Sequence, residues 1–362
     1  NVNLKVDNLD NRVTNLESAT GNGELNEYVI DLKLLDRTTV NVTAGRVIKF
    51  NIDWGDGTVD SNIQHTYTLK EGDSTQFTLK TKDILGQDLR KCCIAINKLL
   101  FVPLYDNDDP DAFDEDTENL FKGFINLKHV GDITGRIKDL TGMFKGCVKL
   151  EHPGNLTEGA EITDRMYDGC TSLKECCKLP STVKSAVGMY NRCTSLEVAG
   201  ELNEGLTDAS FMYSASVVVK MDNPLPSTLK NIDSMFYCCK LKEIDWKIFD
   251  NVTIDSAKNA FTGCNKLVSI KGEINHIKDG TGLLSSCGFT VMPKFAADNI
   301  LEIADSMFGT GTGEYKKLES YGGNTLPNSV KSMKYCFAYT DVTEVLPVPS
   351  GITDKKSFEG CY

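Results

Sequence analysis

One short unit returns at a fixed interval through the C-terminal two thirds of this chain. Met143-Phe144-Lys145-Gly146-Cys147 recurs as Met166-Tyr167-Asp168-Gly169-Cys170 and Met189-Tyr190-Asn191-Arg192-Cys193. It returns as Met212-Tyr213-Ser214-Ala215-Ser216 and Met235-Phe236-Tyr237-Cys238-Cys239, each 23 residues after the last. Leu120 opens a copy one interval upstream, and the register continues with small indels at Ala260, Leu283, Met307, Cys336 and Ser357. That makes eleven copies, the last incomplete. A unit this short cannot bury its apolar face alone, but stacked neighbours can, so the period predicts a repeat solenoid over 104–362. At a strand spacing of about 4.8 Å, eleven coils would run roughly 50 Å.

Inside each unit the residue after the first is Phe or Tyr in ten of the eleven copies. Four residues after the first stands a small or apolar group, cysteine in seven copies. The predicted repeat core is therefore Phe144, Cys147, Tyr167, Cys170, Tyr190, Cys193, Phe236, Cys239, Phe261 and Cys264. Leu127, Leu150, Leu173, Leu196, Val219 and Leu267 open a short strand, and turns such as Leu179-Pro180-Ser181-Thr182-Val183 reset the chain. The chain has 13 cysteines but no C-x-x-C pair, so zinc or thioredoxin chemistry has no support. Thiols repeated at one core position read as packing in a chain that folds in a reducing compartment.

Two other patterns precede the repeats. Over 1–22, Val6 and Val13 fall at a and Val2, Leu9 and Leu16 at d of a heptad, ended by Gly21 and Gly23. This predicts a coiled-coil oligomerisation segment, dimer by its a/d pattern; an amphipathic helix packed on its own chain is the alternative. Over 24–103 the pattern changes to period-two alternation, as in Tyr28–Leu34, Val47–Ile52 and Phe77–Lys80, which predicts strands. A turn signal, Asp53-Trp54-Gly55-Asp56-Gly57-Thr58, precedes His65-Thr66-Tyr67. Asp56 and His65 have the residue types of an acid–base pair, but turn and strand-end hydrogen bonds are the plainer roles.

Those turn residues, Trp54, Gly55, Asp56 and Gly57 with His65 and Tyr67, resemble the signature of the PKD-like β-sandwich, W-G-D-G-T followed by H-x-Y. The unit from 104 onward is similar to the BspA-like leucine-rich repeats: an aromatic, a small residue, Gly-Cys, then Leu and a strand. The expected fold class is thus mostly β (α+β with the helix): a short coiled coil, a PKD-like β-sandwich, then a leucine-rich-repeat solenoid. Members of the BspA-like family are mostly surface proteins of bacteria and protists with adhesion roles. The joining of the two resembles architectures of gut Bacteroidetes and their phages. The segment 1–22 resembles the Asn-rich trimerising segments of phage fibres, which implies a trimer.

Catalytic chemistry is not readable. The four histidines, His65, His129, His152 and His276, form no ligand spacing, and no G-x-S-x-G elbow is present. Gly309-Thr310-Gly311-Thr312-Gly313 lacks the Lys-Ser/Thr ending of a phosphate loop and reads as a turn. The acidic run from Asp106 to Asp116 lacks the glycine and glutamate of an EF-hand and reads as a linker, with calcium as the alternative. No catalytic, cofactor-binding or metal residue is predicted. A net charge of −12 disfavours nucleic acid and anionic membranes, and no apolar run is long enough to cross a bilayer.

The function expected is a non-enzymatic structural or adhesion protein. One form is a virion fibre of head or tail, a homo-oligomer through 1–22 that meets other virion proteins and binds a host surface protein or glycan. The other is a bacterial cell-surface adhesin or lipoprotein. Termination before the leucine of the last unit implies that the natural protein continues. In leucine-rich solenoids the concave strand face is the usual contact surface, which makes Lys128, Lys149, Lys174, Glu197 and Lys242 candidates.

Overall fold

The computed structural model describes residues 119–360 except 136, 157 and 311–317, and upstream of them only strand backbones within 27–101. Val2, Val6, Leu9, Val13, Leu16, Trp54, Gly55, Asp56, Gly57 and the acidic run 106–116 lie outside the described residues. His65 and Tyr67 are described as backbone alone.

The upstream strands are β1 (Glu27–Leu34), β2 (Thr39–Thr43), β3 (Ile52–Asp53), β4 (Val59–Asp60), β5 (Gln64–Thr68), β6 (Ser74–Lys80) and β7 (Cys93–Phe101). With β8 (His129–Gly135), five of them make one six-stranded sheet in the order β4-β3-β6-β1-β7-β8. β1 is antiparallel to both β6 and β7, while β2 and β5 pair separately. β7 runs parallel to β8, from Ala95 opposite His129 to Phe101 opposite Gly135. Backbone hydrogen bonding therefore passes from the upstream sheet into the first repeat.

Downstream the fold is mostly β with little helix. It has four three-residue strands, β9 (Glu243–Asp245), β10 (Ile254–Ser256), β11 (Ser269–Lys271) and β12 (Ile277–Asp279), and two 3-10 turns, Trp246–Phe249 and Lys355–Phe358. Elsewhere the coils meet through single parallel bridges, such as Ile162 with Ser185 and Ser185 with Asp208. The short strand expected in every unit is mostly one bridge wide.

The hydrogen bonds that hold the stack come chiefly from the turn around each aromatic residue. Let the first residue of a unit be position 0. The N–H groups at −3, −1, +1 and +3 donate to the next coil, as Leu140 to Ile162, Gly142 to Asp164, Phe144 to Met166 and Gly146 to Asp168. These bonds are 2.7–3.2 Å from the first coil to the tenth. The N–H groups at 0, +2 and +4 donate three residues back within their own coil, as Met143 to Leu140, Lys145 to Gly142 and Cys147 to Phe144. Alternation of this kind requires a left-handed residue at −1 and again at +3, and positive φ recurs at both positions. Gly142 shows one consequence at −1: a Cβ there would stand 2.5 Å from Asn119 Oδ1, which crosses it from the coil before.

The N–H at −2 belongs to neither series, and a buried donor must find an acceptor. Side chains supply one. Asp139, Asp208, Asn231 and Asp279 at −4 cap Thr141, Ser210, Asp233 and Thr281 in their own coils at 2.8–3.0 Å. Where −4 is serine, the acceptor comes from the preceding coil: Asp164 takes Val187 N–H and Ser185 Oγ, Asp233 takes Lys258 and Ser256, and Asp305 takes Lys334 and Ser332.

The core lies inside this ladder. Phe121, Phe144, Tyr167, Tyr190, Tyr213, Phe236 and Phe261 stack in one column, with centroids 5.5–5.7 Å apart and planes within 13°. Such offset stacking adds to the burial of each ring. Cys147, Cys170, Cys193, Cys239, Cys264 and Cys287 each aim their thiol at the carbonyl of the preceding coil's residue at +1, at 3.0–3.3 Å. That carbonyl already accepts one N–H from its own coil, so the thiol fills its second lone pair in a space only a small residue fits. In the first coil Phe124 stands at the cysteine position and packs edge-on to Phe121.

The last unit needs a correction. Met333 N–H donates to Ser357 and Tyr335 N–H to Glu359. These acceptors are therefore −4 and −2, and Gly360, at positive φ, is −1. By count, position 0 falls on Cys361 and not on Ser357. The ring of Tyr335 crosses Gly360, where a Cβ would stand 2.3 Å away, as Asn119 crosses Gly142.

Candidate binding face

The bridges His129–His152 and Val198–Lys220, with the pairing of β9 and β11, define a strand-bearing face with two exposed columns. One reads Lys128, Glu151, Lys174, Glu197, Val219, Lys242, Val268, Thr290, Glu319 from coil to coil. The other reads His129, His152, Glu175, Val198, Lys220, Glu243, Ser269, Val291, Ser320. The burial pattern and backbone bonds such as Glu151 to Lys128, Val219 to Glu197 and Val268 to Lys242 set this alignment.

Sequence patterning explains the first four coils. Lys and Glu alternate down the first column, so each charge meets its opposite one coil away. Lys174 pairs with Glu151. The Lys174 hydrogen bond, and then its charge, hold the Glu151 carboxyl below the usual carboxylate range. In the second column His152 Nδ1 lies 2.6 Å from Glu175 Oε1. Opposite charges on facing positions favour this register over a slipped one.

In the middle coils the alternation lapses. Val198, Val219, Val268 and Val291 occupy these columns at 39–55 % exposure. Lys242 stands between Val219 and Val268 and has no ion pair among the described residues. Beside it Glu243 pairs with Lys271 at 2.6 Å, which raises the Lys271 pKa, and Lys220 pairs with Asp222. The surface around Lys242 thus combines aliphatic side chains with a cation that has no ion pair among the described residues, and Lys240 and Lys266 at the neighbouring position have none either.

Of the lysines and glutamate expected to lie on this face, Lys128, Lys174, Glu197 and Lys242 share one column. Lys149 lies in a neighbouring position, where its Nζ donates to Asn126 Oδ1 at 2.6 Å. Val219, expected at the apolar position that opens a strand, is exposed instead, because the coil is one residue shorter there and Val218 fills the core; no expectation from the sequence singles out Val198, Val268 and Val291. The signal that could have found them is the lapse of charge alternation at a fixed interval.

The opposite charge pattern marks the edge of −5 residues, Lys138, Glu161, Lys184, Thr207, Lys230, Asp255, Lys278, Glu302 and Lys331. Here alternation persists through the stack apart from Thr207, with ion pairs Lys184–Glu161, Lys278–Asp255 and Lys331–Glu302. Asp168, on the turn edge, is almost wholly buried yet satisfied: Arg192 clasps both its oxygens, and Asn191 and Lys145 add a hydrogen bond and an ion pair. Its role is structural.

The predicted core residues Phe144, Cys147, Tyr167, Cys170, Tyr190, Cys193, Phe236, Cys239, Phe261 and Cys264 are all buried. The ten described cysteines are free thiols. Burial pushes Cys177 and Cys239 up to about 11 and Cys170, Cys193, Cys264 and Cys287 higher still, so these sulfurs stay protonated. No His, Cys, Asp and Glu cluster able to hold a metal ion occurs among the described residues.

Residues 195–312 and 232–362 match the family described as BspA type leucine rich repeat region, in six copies. A leucine-rich repeat protein of known structure from Bacteroides ovatus is similar at 17 % identity, over 76 % of this chain and 90 % of that one, with a TM-score of 0.29. No curated protein matches the chain. No helix among the described residues is long and apolar enough to cross a membrane.

Proposed function

We propose that this chain is a non-enzymatic adhesion protein displayed at a surface, and that it binds a host-surface protein or glycan through its strand-bearing face between Val198 and Val291. The observation that carries this reading is the lapse of Lys/Glu alternation in the first column there. In the first coils Lys174 pairs with Glu151 and His152 with Glu175, whereas the middle coils expose four valines around a lysine with no ion pair among the described residues. Exposed apolar side chains grouped on a rigid face are characteristic of contact surfaces. The match to BspA type repeats supports surface display.

The test is a binding screen of the full chain against arrays of glycans and of host and bacterial surface proteins. A Val219→Asp/Val268→Asp variant serves as control. Partners bound by the native chain and lost by the variant, at unchanged melting temperature, are expected. Binding that survives the double substitution would overturn the strand face as the site.

The heptad from Val2 to Leu16 favours one form of display, a virion fibre trimerised through 1–22 and joined to other virion proteins. Light scattering on the full chain and on one lacking residues 1–22 tests this. A trimer that becomes monomeric on truncation supports the fibre. A monomer in both leaves a bacterial cell-surface adhesin as the form of display.

A further inference from the structure

On the basis of the strand-face reading above, we infer that the surface around Lys242 takes an acidic, aliphatic segment of a partner protein, whose carboxylate supplies the anion that the lysine column lacks there. Lys128 has Glu151 on the next coil, and Lys174 lies between Glu151 and Glu197. Lys242 alone among the lysines of that column has an aliphatic residue on both neighbouring coils, Val219 before it and Val268 after it.

The chain carries a net charge of −12, so an uncompensated lysine held between exposed valines is a local exception to its overall field. A ligand carboxylate at Lys242 would make a charge-assisted bond, and its flanking aliphatic groups would cover Val219 and Val268. A partner protein fits better than a glycan. Sugar rings are recognised by flat aromatic faces, and among the described residues the exposed aromatics Phe211, Tyr237, Tyr335 and Tyr339 lie on the turn edge, not beside these valines. Side chains two residues apart on an extended peptide share one face at about 6.8 Å, close enough to the coil spacing for alternate residues to meet successive coils.

The probe is a blocked pentapeptide, Val-Ser-Glu-Ser-Val, titrated into the full chain with methyl-labelled valines and followed by NMR. A second peptide carries Gln in place of Glu. Saturable shifts at the Val219 and Val268 methyls are expected with the acidic peptide, and roughly tenfold weaker binding with the Gln peptide. Val219→Glu gives Lys242 an anion within its own column, so it is expected to weaken the acidic peptide about tenfold while leaving the melting temperature unchanged or raised. Lys242→Arg keeps the binding and Lys242→Glu removes it. Absence of shifts at these methyls, equal binding of both peptides, or binding indifferent to Val219→Glu would overturn the inference. A partner from the screen that is lost with Val219→Asp/Val268→Asp but indifferent to Lys242→Glu would overturn it while leaving the adhesive reading intact.

Discussion

The turn edge and the strand face are built from the same repeat but under different constraints. On the turn edge, the N–H groups from −3 to +4 other than −2 follow one hydrogen-bond alternation from coil to coil, −2 is capped by side chains in most coils, and the aromatic and cysteine columns fill the space behind them. On the strand face, coils touch through bridges one to three residues wide, and the side chains between buried anchors point outward. The aromatic and thiol columns behind the turn edge therefore keep their residue types almost unchanged from coil to coil, while the strand face passes from Lys/Glu alternation to exposed valines. Where backbone pairing fixes little, side chains are free to serve recognition.

The thiol column offers the largest way to break this comparison. Cys177 and Cys239 sit near 11 against an ordinary value of 9.0, and burial raises Cys170, Cys193, Cys264 and Cys287 further. Their folded pKa exceeds the unfolded one, so the stability they add is full below about pH 9 and lost as pH rises through about 11. At pH 10 the fold is therefore weaker than at pH 8, by roughly 1 kcal/mol for a thiol near 11 such as Cys239, with the other raised thiols of the column adding in the same direction. Urea midpoints at pH 8 and pH 10 should differ widely. Equal midpoints would mean that the thiols titrate as if exposed.

A single ring sharpens the same contrast. Tyr190 stacks on Tyr167 and Tyr213, and its hydroxyl accepts the Cys177 N–H at 3.0 Å. Tyr190→Ala should lose about 3–5 kcal/mol, and Tyr190→Phe about 1–3 kcal/mol by leaving that buried N–H unpaired. Val219→Ala on the strand face should stay within about 0.5 kcal/mol. Chemical unfolding of the three variants measures this, and a Val219→Ala loss as large as that of Tyr190→Phe would erase the distinction between the faces.

How much of this could be read beforehand differs between the two faces for physical reasons. The period and the core columns stand out in the sequence because every coil must fill the same space at Phe144, Tyr167, Tyr190 and their equivalents. The final register was misread because Ser357-Phe358 imitates positions 0 and +1. Its true alignment is Ser357-Phe358-Glu359-Gly360-Cys361-Tyr362 with Ser332-Met333-Lys334-Tyr335-Cys336-Phe337. The exposed valines were hidden because valine next to a buried Leu or Val reads as core by hydropathy. Only their place in the Lys/Glu column betrays them. The alternation of donors at −3 to +4 leaves no mark in residue type beyond recurrent glycine, and Arg192 and Tyr335 occupy left-handed positions without it.

The caps at −2 do leave a mark, and they supply the smallest and most local prediction. Serine at −4, in Ser185, Ser256 and Ser332, follows a coil with aspartate at −2, Asp164, Asp233 and Asp305. In these coils the serine gives its hydroxyl to the carboxylate of the coil before, and the −2 N–H donates to that same carboxylate oxygen. Asp164→Ala should therefore lose about 1–2 kcal/mol, the magnitude of a removed cap, because Val187 N–H and Ser185 Oγ lose one shared acceptor. Asp164→Asn keeps that acceptor oxygen. Burial raises the Asp164 pKa despite the hydrogen bonds that oppose it, so its ionised form works against folding at neutral pH. A raised folded pKa means relative stability that is full at low pH and lost as pH rises through it. Asp164→Asn should accordingly match or slightly exceed the native chain at pH 7, with the difference shrinking as pH falls toward the ordinary carboxylate range. Urea midpoints of the three proteins at pH 7 and pH 4 decide it: equal loss in the Ala and Asn variants would show that the acceptor oxygen is not what joins these two coils.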